Sequence, residues 1–274
     1  MAKATFTPPT VADPTQLGRR FKKRLRSGEV LISGAVIEYL RPSLVKVYRY
    51  AGFDFIFLEN EHSLFQGSEL ADFVLAARDN GMPVLAKTAQ VERAELTRML
   101  EAGISGIQLA RTESREELMA MIDIMKYPPI GTRAGAPCYG HVDYVAPGNA
   151  SRWLKNANAS ISVLAQIESA PGYENAEEII TTPHLDMLFV GPFDFSIAMG
   201  HPGEYDHPVV KKAMRKILSL CKKHKVPFGT IASSPQAARE WMNAGCQWLV
   251  VFDEISMIYK SAADTVASYR RGKR

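Results

Sequence analysis

The chain has 274 residues, of which 33 are basic and 29 acidic, so its formal net charge is +4 with histidine neutral. Apolar residues make up 46% and charged residues 23%, close to globular averages, which excludes a disordered, collagen-like or disulfide-stapled protein. The three cysteines are far apart and form no CxxC pair, and neither a signal peptide nor a membrane-spanning run is visible. We therefore expect a reduced, cytoplasmic protein.

The N-terminal part predicts a flexible segment over residues 1–16, followed by a leading helix with Leu17, Phe21 and Leu25 on its apolar face. Six basic residues fall within eight positions of this helix: Arg19, Arg20, Lys22, Lys23, Arg24 and Arg26. They form either the solvated face of the helix or a surface for an anionic partner. Because acidic and basic residues are interspersed elsewhere, no nucleic-acid partner is expected.

Eight short apolar runs alternate with helix-like segments along the rest of the chain. The predicted strands are 30–37, 53–58, 83–89, 104–110, 161–168, 185–191, 226–232 and 246–252. The predicted helices are 42–51, 68–80, 91–102, 113–126, 151–158, 172–180, 208–223, 235–243 and 255–270. Uniformly apolar strands are typical of a parallel sheet that is buried on both faces.

Eight such units, without a G-x-G-x-x-G turn after any strand, predict an α/β protein with a (β/α)8 TIM barrel. No linker-like composition interrupts the chain, so one domain is expected over 17–270. Segment 127–150, rich in Gly and Pro, is long for a connection, and such segments are usually functional or mobile.

Ionisable residues follow several strands, at the end of the barrel where active sites lie. They are Glu59, Glu61 and His62 after the second strand, Lys87 in the third, Glu168 in the fifth, Asp194 after the sixth, and Asp253 and Glu254 after the eighth. The neutral residues Gln166, Gly191, Phe193 and Ser196 accompany them at the fifth and sixth strand ends. Crowded carboxylates repel one another, and a bound hard cation such as Mg²⁺ or Mn²⁺ relieves the repulsion. The alternative is that these charges pair with Lys87 or Arg133, or are solvated.

Further features suggest acid–base chemistry and anion binding. His62 directly follows a strand and is a candidate general base, with Glu59 or Glu61 to orient it, although a surface histidine is an open alternative. Arg133, flanked by glycines in GTRAG, is either an anion clamp or part of a plain turn. Backbone N–H groups of Phe193 and Asp194 are placed to meet a carboxylate.

At these residues the sequence resembles the metal-dependent pyruvate aldolases of the HpcH/HpaI type. The matching segments are AGFDFIFLENEHS, YPPIGTRAG, ASRW followed by LAQIES, and LDMLFVGPFDFSIAMG. The resemblance covers residues 17–268. It implies a (β/α)8 barrel, usually a hexamer built as a trimer of dimers, in which subunits exchange the last helix.

The resemblance also implies roles for individual residues. Glu168 and Asp194 would bind the divalent metal (Mg²⁺ or Mn²⁺, with Co²⁺ also open), and His62 would be the base. Pyruvate would chelate the metal and meet the amides of Phe193 and Asp194 in the turn after Gly191, with Gln166 nearby. No organic cofactor is implied.

Two residues depart from the family pattern. Glu59 replaces the usual Asp that pairs with the histidine, and Lys87 falls where the family has an arginine at the keto oxygen. Lysine keeps the charge but loses the planar fork of arginine, so we expect stabilisation of the enolate to be weaker or differently aimed.

We expect a class II carbon–carbon lyase that cleaves a 4-hydroxy-2-oxo acid to pyruvate and an aldehyde. The alternatives are an oxo-acid decarboxylase or CoA-ester lyase on the same scaffold, a non-catalytic oxo-acid-binding relative, and a Schiff base on Lys87. The expected partners are an oxo acid and an aldehyde, with no membrane. Segment 127–150 is expected to cap the aldehyde end, with Val36 and Glu38 helping to shape it.

Overall fold

A closed barrel of eight parallel strands forms the centre of the computed structural model, which describes residues 13–63, 65 and 67–271. Each strand pairs with its neighbours in chain order, and β1 closes the ring against β8. The strands are β1 (Leu31–Val36), β2 (Phe55–Leu58), β3 (Val84–Thr88), β4 (Gly106–Leu109), β5 (Ser162–Ile167), β6 (Met187–Val190), β7 (Phe228–Ile231) and β8 (Trp248–Asp253). The predicted TIM barrel is confirmed.

Helices surround this barrel. They are α1 (Thr15–Arg26), α2 (Pro42–Ala51), α3 (Gly67–Asp79), α4 (Arg93–Ala102), α5 (Arg115–Met125), α6 (Ala150–Ser160), α7 (Ala170–Glu174), α8 (Ala176–Ile180), α9 (Pro192–Ala198), α10 (Pro208–His224), α11 (Pro235–Ala244) and α12 (Glu254–Arg270). The single helix predicted at 172–180 is two short helices, and α9 was not predicted. None of the helices described is long and apolar enough to cross a lipid bilayer.

Local signals explain where several helices begin and end. Ser114 caps α5 in a capping box with Glu117, so that each side chain accepts a hydrogen bond from the other residue's backbone N–H. Gly103 ends α4 with φ of 105°, a left-handed conformation that favours glycine. Such caps let short helices reverse the chain toward the next parallel strand.

Aromatic side chains fill the lower half of the barrel interior. Phe55, Phe189 and Trp248 point inward and are almost completely buried, with ring centroids of Phe189 and Trp248 4.7 Å apart. Phe21 of α1 packs on Phe55 at 5.3 Å, so α1 closes this end of the barrel. The interior is therefore a packed core below the site.

The basic residues of α1 are less solvated than the sequence suggested. Lys22 is 8% exposed and forms an ion pair with Asp186 at 2.7 Å, and Arg24 pairs with Glu29 and Asp54. The predicted solvated face is wrong for Lys22, because α1 lies against the barrel and brings acidic loop residues to this side chain. Residues 1–12 of the expected flexible segment lie outside the described residues, and α1 already begins at Thr15.

The contact between Gly229 and Trp248 leads to a stability prediction. A Cβ at Gly229 would lie 2.2–2.4 Å from Trp248 ring atoms, whereas a Cβ at Gly135 meets nothing within 4 Å. We expect Gly229→Ala to lower the free energy of unfolding by about 2 kcal/mol, since a buried indole must move. Gly135→Ala is the control, and both variants are measured by urea denaturation. Equal stability of the two variants would contradict the described core.

Candidate active site

A cavity of about 520 Å³ opens at the C-terminal ends of the strands. Its polar lining consists of Glu59, His62, Lys87, Gln166, Glu168, Asp194, Ser233, Asp253 and Ser256. Its other lining residues are Ala35, Ile37, Phe57, Phe189, Gly191, Pro192, Phe193, Ile231, Val250, Val251 and Phe252. Most of the predicted site residues therefore meet in one place.

Glu168 is the most enclosed carboxylate of this cavity, with 5% of its surface exposed. Because side chains alternate along a strand, Gln166 and Glu168 at the end of β5 both point inward. Glu168 Oε1 accepts a hydrogen bond from the backbone N–H of Arg111 at 2.8 Å, and Oε2 accepts one from Gln166 Nε2. Burial raises the pKa of Glu168, and these hydrogen bonds and the Lys87 charge only partly oppose the increase.

The hydrogen-bonded chain continues through a residue that the sequence analysis missed. Gln108 of β4 donates from Nε2 to Gln166 Oε1, which leaves Gln166 Nε2 to donate to Glu168. Gln108 is fully buried and pairs in register with Lys87 on β3. An inward-facing amide in an apolar strand was the available sequence signal. Gln108 thus determines which end of the Gln166 amide faces the carboxylate.

Gly191 packs against Glu168, one of the two predicted metal-binding residues, and precedes the other, Asp194, by three positions. A Cβ at this position would lie 2.5 Å from Glu168 Oε2 and 2.8 Å from Gln166 Nε2, so only glycine leaves this space open. The chain then enters α9 at Pro192, and Asp194 lies in the first turn of this helix. Helix geometry leaves the N–H groups of Phe193 and Asp194 without intrahelical acceptors. An anionic group in the cavity can accept hydrogen bonds from them.

Lys87 forms a buried ion-pair network at the end of β3. Its Nζ atom lies 2.6 Å from Glu59 Oε2 and 2.8 Å from Glu61 Oε2. Burial lowers the pKa of Lys87, but the two carboxylates outweigh burial and raise the pKa above its ordinary value. Lys87 is therefore an ammonium group at neutral pH. A protonated amine is not a nucleophile, which disfavours the Schiff-base alternative.

His62 lies at the mouth of the cavity with 71% of its side chain exposed. Its Nε2 atom is 3.5 Å from Glu61 Oε2. The expected pairing of Glu59 with His62 is not formed, because Glu59 is held by Lys87 instead. Glu61 is the carboxylate that can orient the imidazole.

Several sequence expectations fall outside this cavity. Arg133 is buried elsewhere, over the ring of Tyr127 at 4.6 Å, so within one chain it is not a substrate clamp. Ser196 is buried in α9, donates to the carbonyl of Phe193 and accepts from the N–H of Gly203, so it holds the turn rather than a ligand. No residue of 127–150 lines the described cavity.

The loop after β1 is organised by Glu254, which the sequence analysis did not single out as a positioning group. Its buried carboxylate accepts hydrogen bonds from the backbone N–H groups of Ile37, Glu38 and Tyr39 at 2.7–3.1 Å. Of the three, only Ile37 lines the cavity; Glu38 does not, and neither does Val36. β7 and β8 supply much of the remaining apolar wall, which no motif had indicated.

The donor set of the cavity fits a hard divalent cation. Glu168 and Asp194 both line the cavity and offer carboxylate oxygens, and Glu168 Oε2 lies beside Gly191. Carboxylates are the ligands that Mg²⁺ and Mn²⁺ prefer. A cation there would also compensate the buried charge of Glu168, whose pKa burial raises.

Sequence comparison identifies the family of this chain and several relatives. The sequence matches the HpcH/HpaI aldolase/citrate lyase family over residues 37–258. It is 28% identical over 228 residues to the 2-dehydro-3,6-dideoxy-6-sulfogluconate aldolase of Pseudomonas putida, covering 83% of this chain and 88% of that protein. It is 29% identical over 249 residues to the 5-keto-4-deoxy-D-glucarate aldolase of Klebsiella pneumoniae, covering 90% and 95%.

Solved structures agree with the sequence comparison. The crystal structure of the HpcH/HpaI aldolase from Desulfitobacterium hafniense superposes with a TM-score of 0.86 at 26% identity, covering 91% of this chain and 96% of that one. The fold and the arrangement of its strand ends are therefore shared with an aldolase.

The Gln108–Gln166–Glu168 chain generates a prediction. We expect Gln108→Leu to weaken Mn²⁺ binding and to lower turnover by about tenfold, because Gln166 is then free to rotate its amide. The matched control is Gln90→Leu at an exposed position. Mn²⁺ affinity is measured by electron paramagnetic resonance. Unchanged affinity and turnover in Gln108→Leu would show that the amide chain does not position Glu168.

Proposed function

The chain belongs to the HpcH/HpaI aldolase/citrate lyase family, and we propose that it cleaves a 4-hydroxy-2-oxo acid to pyruvate and an aldehyde in a reversible aldol reaction. The observation that carries the proposal is that Glu168, Asp194 and the buried Lys87 ammonium line one cavity together with Gly191. The relatives that act on sulfogluconate and keto-deoxy-glucarate derivatives are aldolases, which supports this reaction class.

Glu168 and Asp194 would hold the divalent cation, with Mg²⁺ and Mn²⁺ the leading candidates. When bound, such a cation supplies Lewis acidity toward the keto oxygen of the substrate. Gln166, fixed by Gln108, would keep the Glu168 carboxylate in its orientation. The N–H groups of Phe193 and Asp194 would donate hydrogen bonds to the substrate carboxylate.

Bond cleavage needs a group that removes the proton of the 4-hydroxyl. His62 is the imidazole at the cavity, and Glu61 at 3.5 Å would stabilise its protonated form. As the C3–C4 bond breaks, C4 becomes the carbonyl carbon of the departing aldehyde. The electron pair of the C3–C4 bond passes into the pyruvate enolate. Protonation of C3 then gives pyruvate.

Lys87 would supply the positive charge that an arginine supplies near the keto oxygen in the family pattern. Its ammonium charge is fixed in the cavity by Glu59 and Glu61, so a developing enolate meets a preorganised cation. The same two carboxylates also share its charge, so stabilisation of the enolate is weaker than from an unpaired cation. The paired replacements at positions 59 and 87 thus act together.

Decarboxylation of oxaloacetate is the alternative activity, and it would pass through the same pyruvate enolate. Oxaloacetate would then lose CO₂ without any aldehyde being formed. The aldol reading is favoured because His62 provides a base for a 4-hydroxyl group, which decarboxylation does not require. Carbon dioxide release from oxaloacetate without turnover of hydroxy-oxo acids would favour the decarboxylase.

We also propose a homo-oligomer in which α12 packs on a second copy of the chain. After Glu254 most of this helix is exposed, including Ile258, Tyr259, Val266 and Tyr269. A single chain leaves these apolar side chains without a covering surface. Large exposed apolar faces of this kind usually mark an interface.

The assignment of Glu168 is tested by a conservative substitution. Glu168→Gln keeps the shape but removes the charge, so we expect the metal-dependent release of pyruvate from a 4-hydroxy-2-oxo acid to fall by more than about 100-fold. Glu178→Gln, at an exposed position of α8, is the control. Pyruvate is followed by coupled oxidation of NADH, in metal-buffered solution. Wild-type turnover of Glu168→Gln would refute its role as a ligand.

A further inference from the structure

A buried guanidinium without a protein partner lies outside the active site. Arg133 is 4% exposed, and among the described residues its side chain forms neither a hydrogen bond nor an ion pair. Its Nε and Nη2 atoms are buried, and its Cζ atom lies over the Tyr127 ring, 4.6 Å from the ring centroid. Burying an unpaired charge is costly, so a partner for this group is expected.

Other polar atoms around Arg133 are also buried and unpartnered. They are Tyr127 Oη, His141 Nε2 and Trp153 Nε1. The three rings are neighbours, since the Trp153 ring centroid lies 5.2 Å from that of Tyr127 and 5.6 Å from that of His141. Unpaired polar atoms are rare in native proteins, and several in one neighbourhood point to a bound solute or water.

Arg133 and His141 border a small cavity between α1, α4 and α6. Its volume is about 40 Å³, and its lining contains Arg78 but no carboxylate side chain. Arg78 is already paired, because it donates to Asp143 and to the carbonyl of Gly140. Arg133 is thus the group whose charge is left to be balanced.

The chain offers little to balance that charge. Burial lowers the pKa of Arg133, and the nearby Glu101 charge opposes that shift only in part. Glu101 forms no ion pair with Arg133 among the described residues. The residues at positions 1–12, 64, 66 and 272–274 include no aspartate or glutamate. A small solute can supply the negative charge that the described residues do not.

We propose that Arg133 binds a small monovalent inorganic anion, with chloride as the probe, in the cavity between α1, α4 and α6. The volume suits one small ion beside a water molecule and excludes a phosphate ester or a nucleotide. The anion would accept a hydrogen bond from the Arg133 guanidinium, which borders the cavity.

His141 adds a neutral polar group to the same cavity. Burial and the Arg133 charge lower the pKa of His141 to about 4, so its ring is neutral at pH 7. Its Nδ1 atom lies 3.3 Å from the carbonyl of Glu101 and carries the proton, because a carbonyl can only accept. The His141 Nε2 atom is then an acceptor that is buried without a partner among the described residues.

Binding would tie segment 127–150 to the helices that it crosses. Arg133 and His141 belong to this segment, whereas the cavity is also bordered by residues of α1 and α6. An anion that bridges them stabilises the folded state by mass action and leaves the active-site cavity untouched. The expected effect is therefore on unfolding temperature, and catalysis is unaffected.

The test compares thermal unfolding in chloride and in gluconate at constant ionic strength, since gluconate is too large for the cavity. We expect chloride to raise the unfolding temperature of the wild-type protein by roughly 3 °C. Arg133→Gln should lose this difference. Arg152→Gln, an exposed arginine of α6 whose side chain makes no hydrogen bond in the described structure, should keep it.

A crystallographic measurement covers the case in which Arg133→Gln fails to fold. Wild-type crystals soaked in bromide should show an anomalous peak beside the Arg133 guanidinium. Equal unfolding temperatures of the wild-type protein in the two salts, or no bromide peak, would overturn the proposal and leave water as the partner. A chloride effect that persists in Arg133→Gln would overturn it as well.

Discussion

A carboxylate buried at the end of a strand is the constraint on which the site depends. Glu168 follows an apolar strand that is completely buried, so its charge is removed from water and must be compensated locally. The N–H of Arg111 and the amide of Gln166 supply part of this compensation, and burial still raises the pKa of Glu168. A divalent cation beside Gly191 would supply the rest.

The barrel makes that arrangement rigid. Aromatic residues of β2, β6 and β8 fill its interior below the site, and Phe21 closes the lower end. The polar groups above them come from the inward positions of neighbouring strands, where Lys87, Gln108 and Gln166 are held by mutual contacts or by carboxylates. Chemistry in this fold relies on such fixed groups, because preorganised charges need not reorganise during the reaction.

Much of this structure could be predicted from the sequence, because apolar runs and capping residues are local signals. The barrel, its strands and the grouping of Glu168, Asp194 and Lys87 follow from strand ends meeting at one face. α9 was missed because its seven residues are too few to show a helical repeat of apolar positions. The pairing of Glu59 with Lys87, rather than with His62, depends on distances between side chains of adjacent strands, which no single-strand pattern contains. Arg133 was a candidate substrate-binding residue but lies outside the active-site cavity. The glycines on either side of Arg133 indicate a turn, and they do not predict the path of this long segment across the outside of the barrel.

The most direct test of the account is exchange of the methyl protons of pyruvate in D₂O, followed by nuclear magnetic resonance. It requires only the enolate and the metal site, so the identity of the aldehyde does not matter. The account predicts that exchange occurs with Mg²⁺ and stops when EDTA removes the metal. Exchange that continues in EDTA, or its absence with Mg²⁺ when pyruvate is bound, would contradict enolate formation at the Glu168 and Asp194 site.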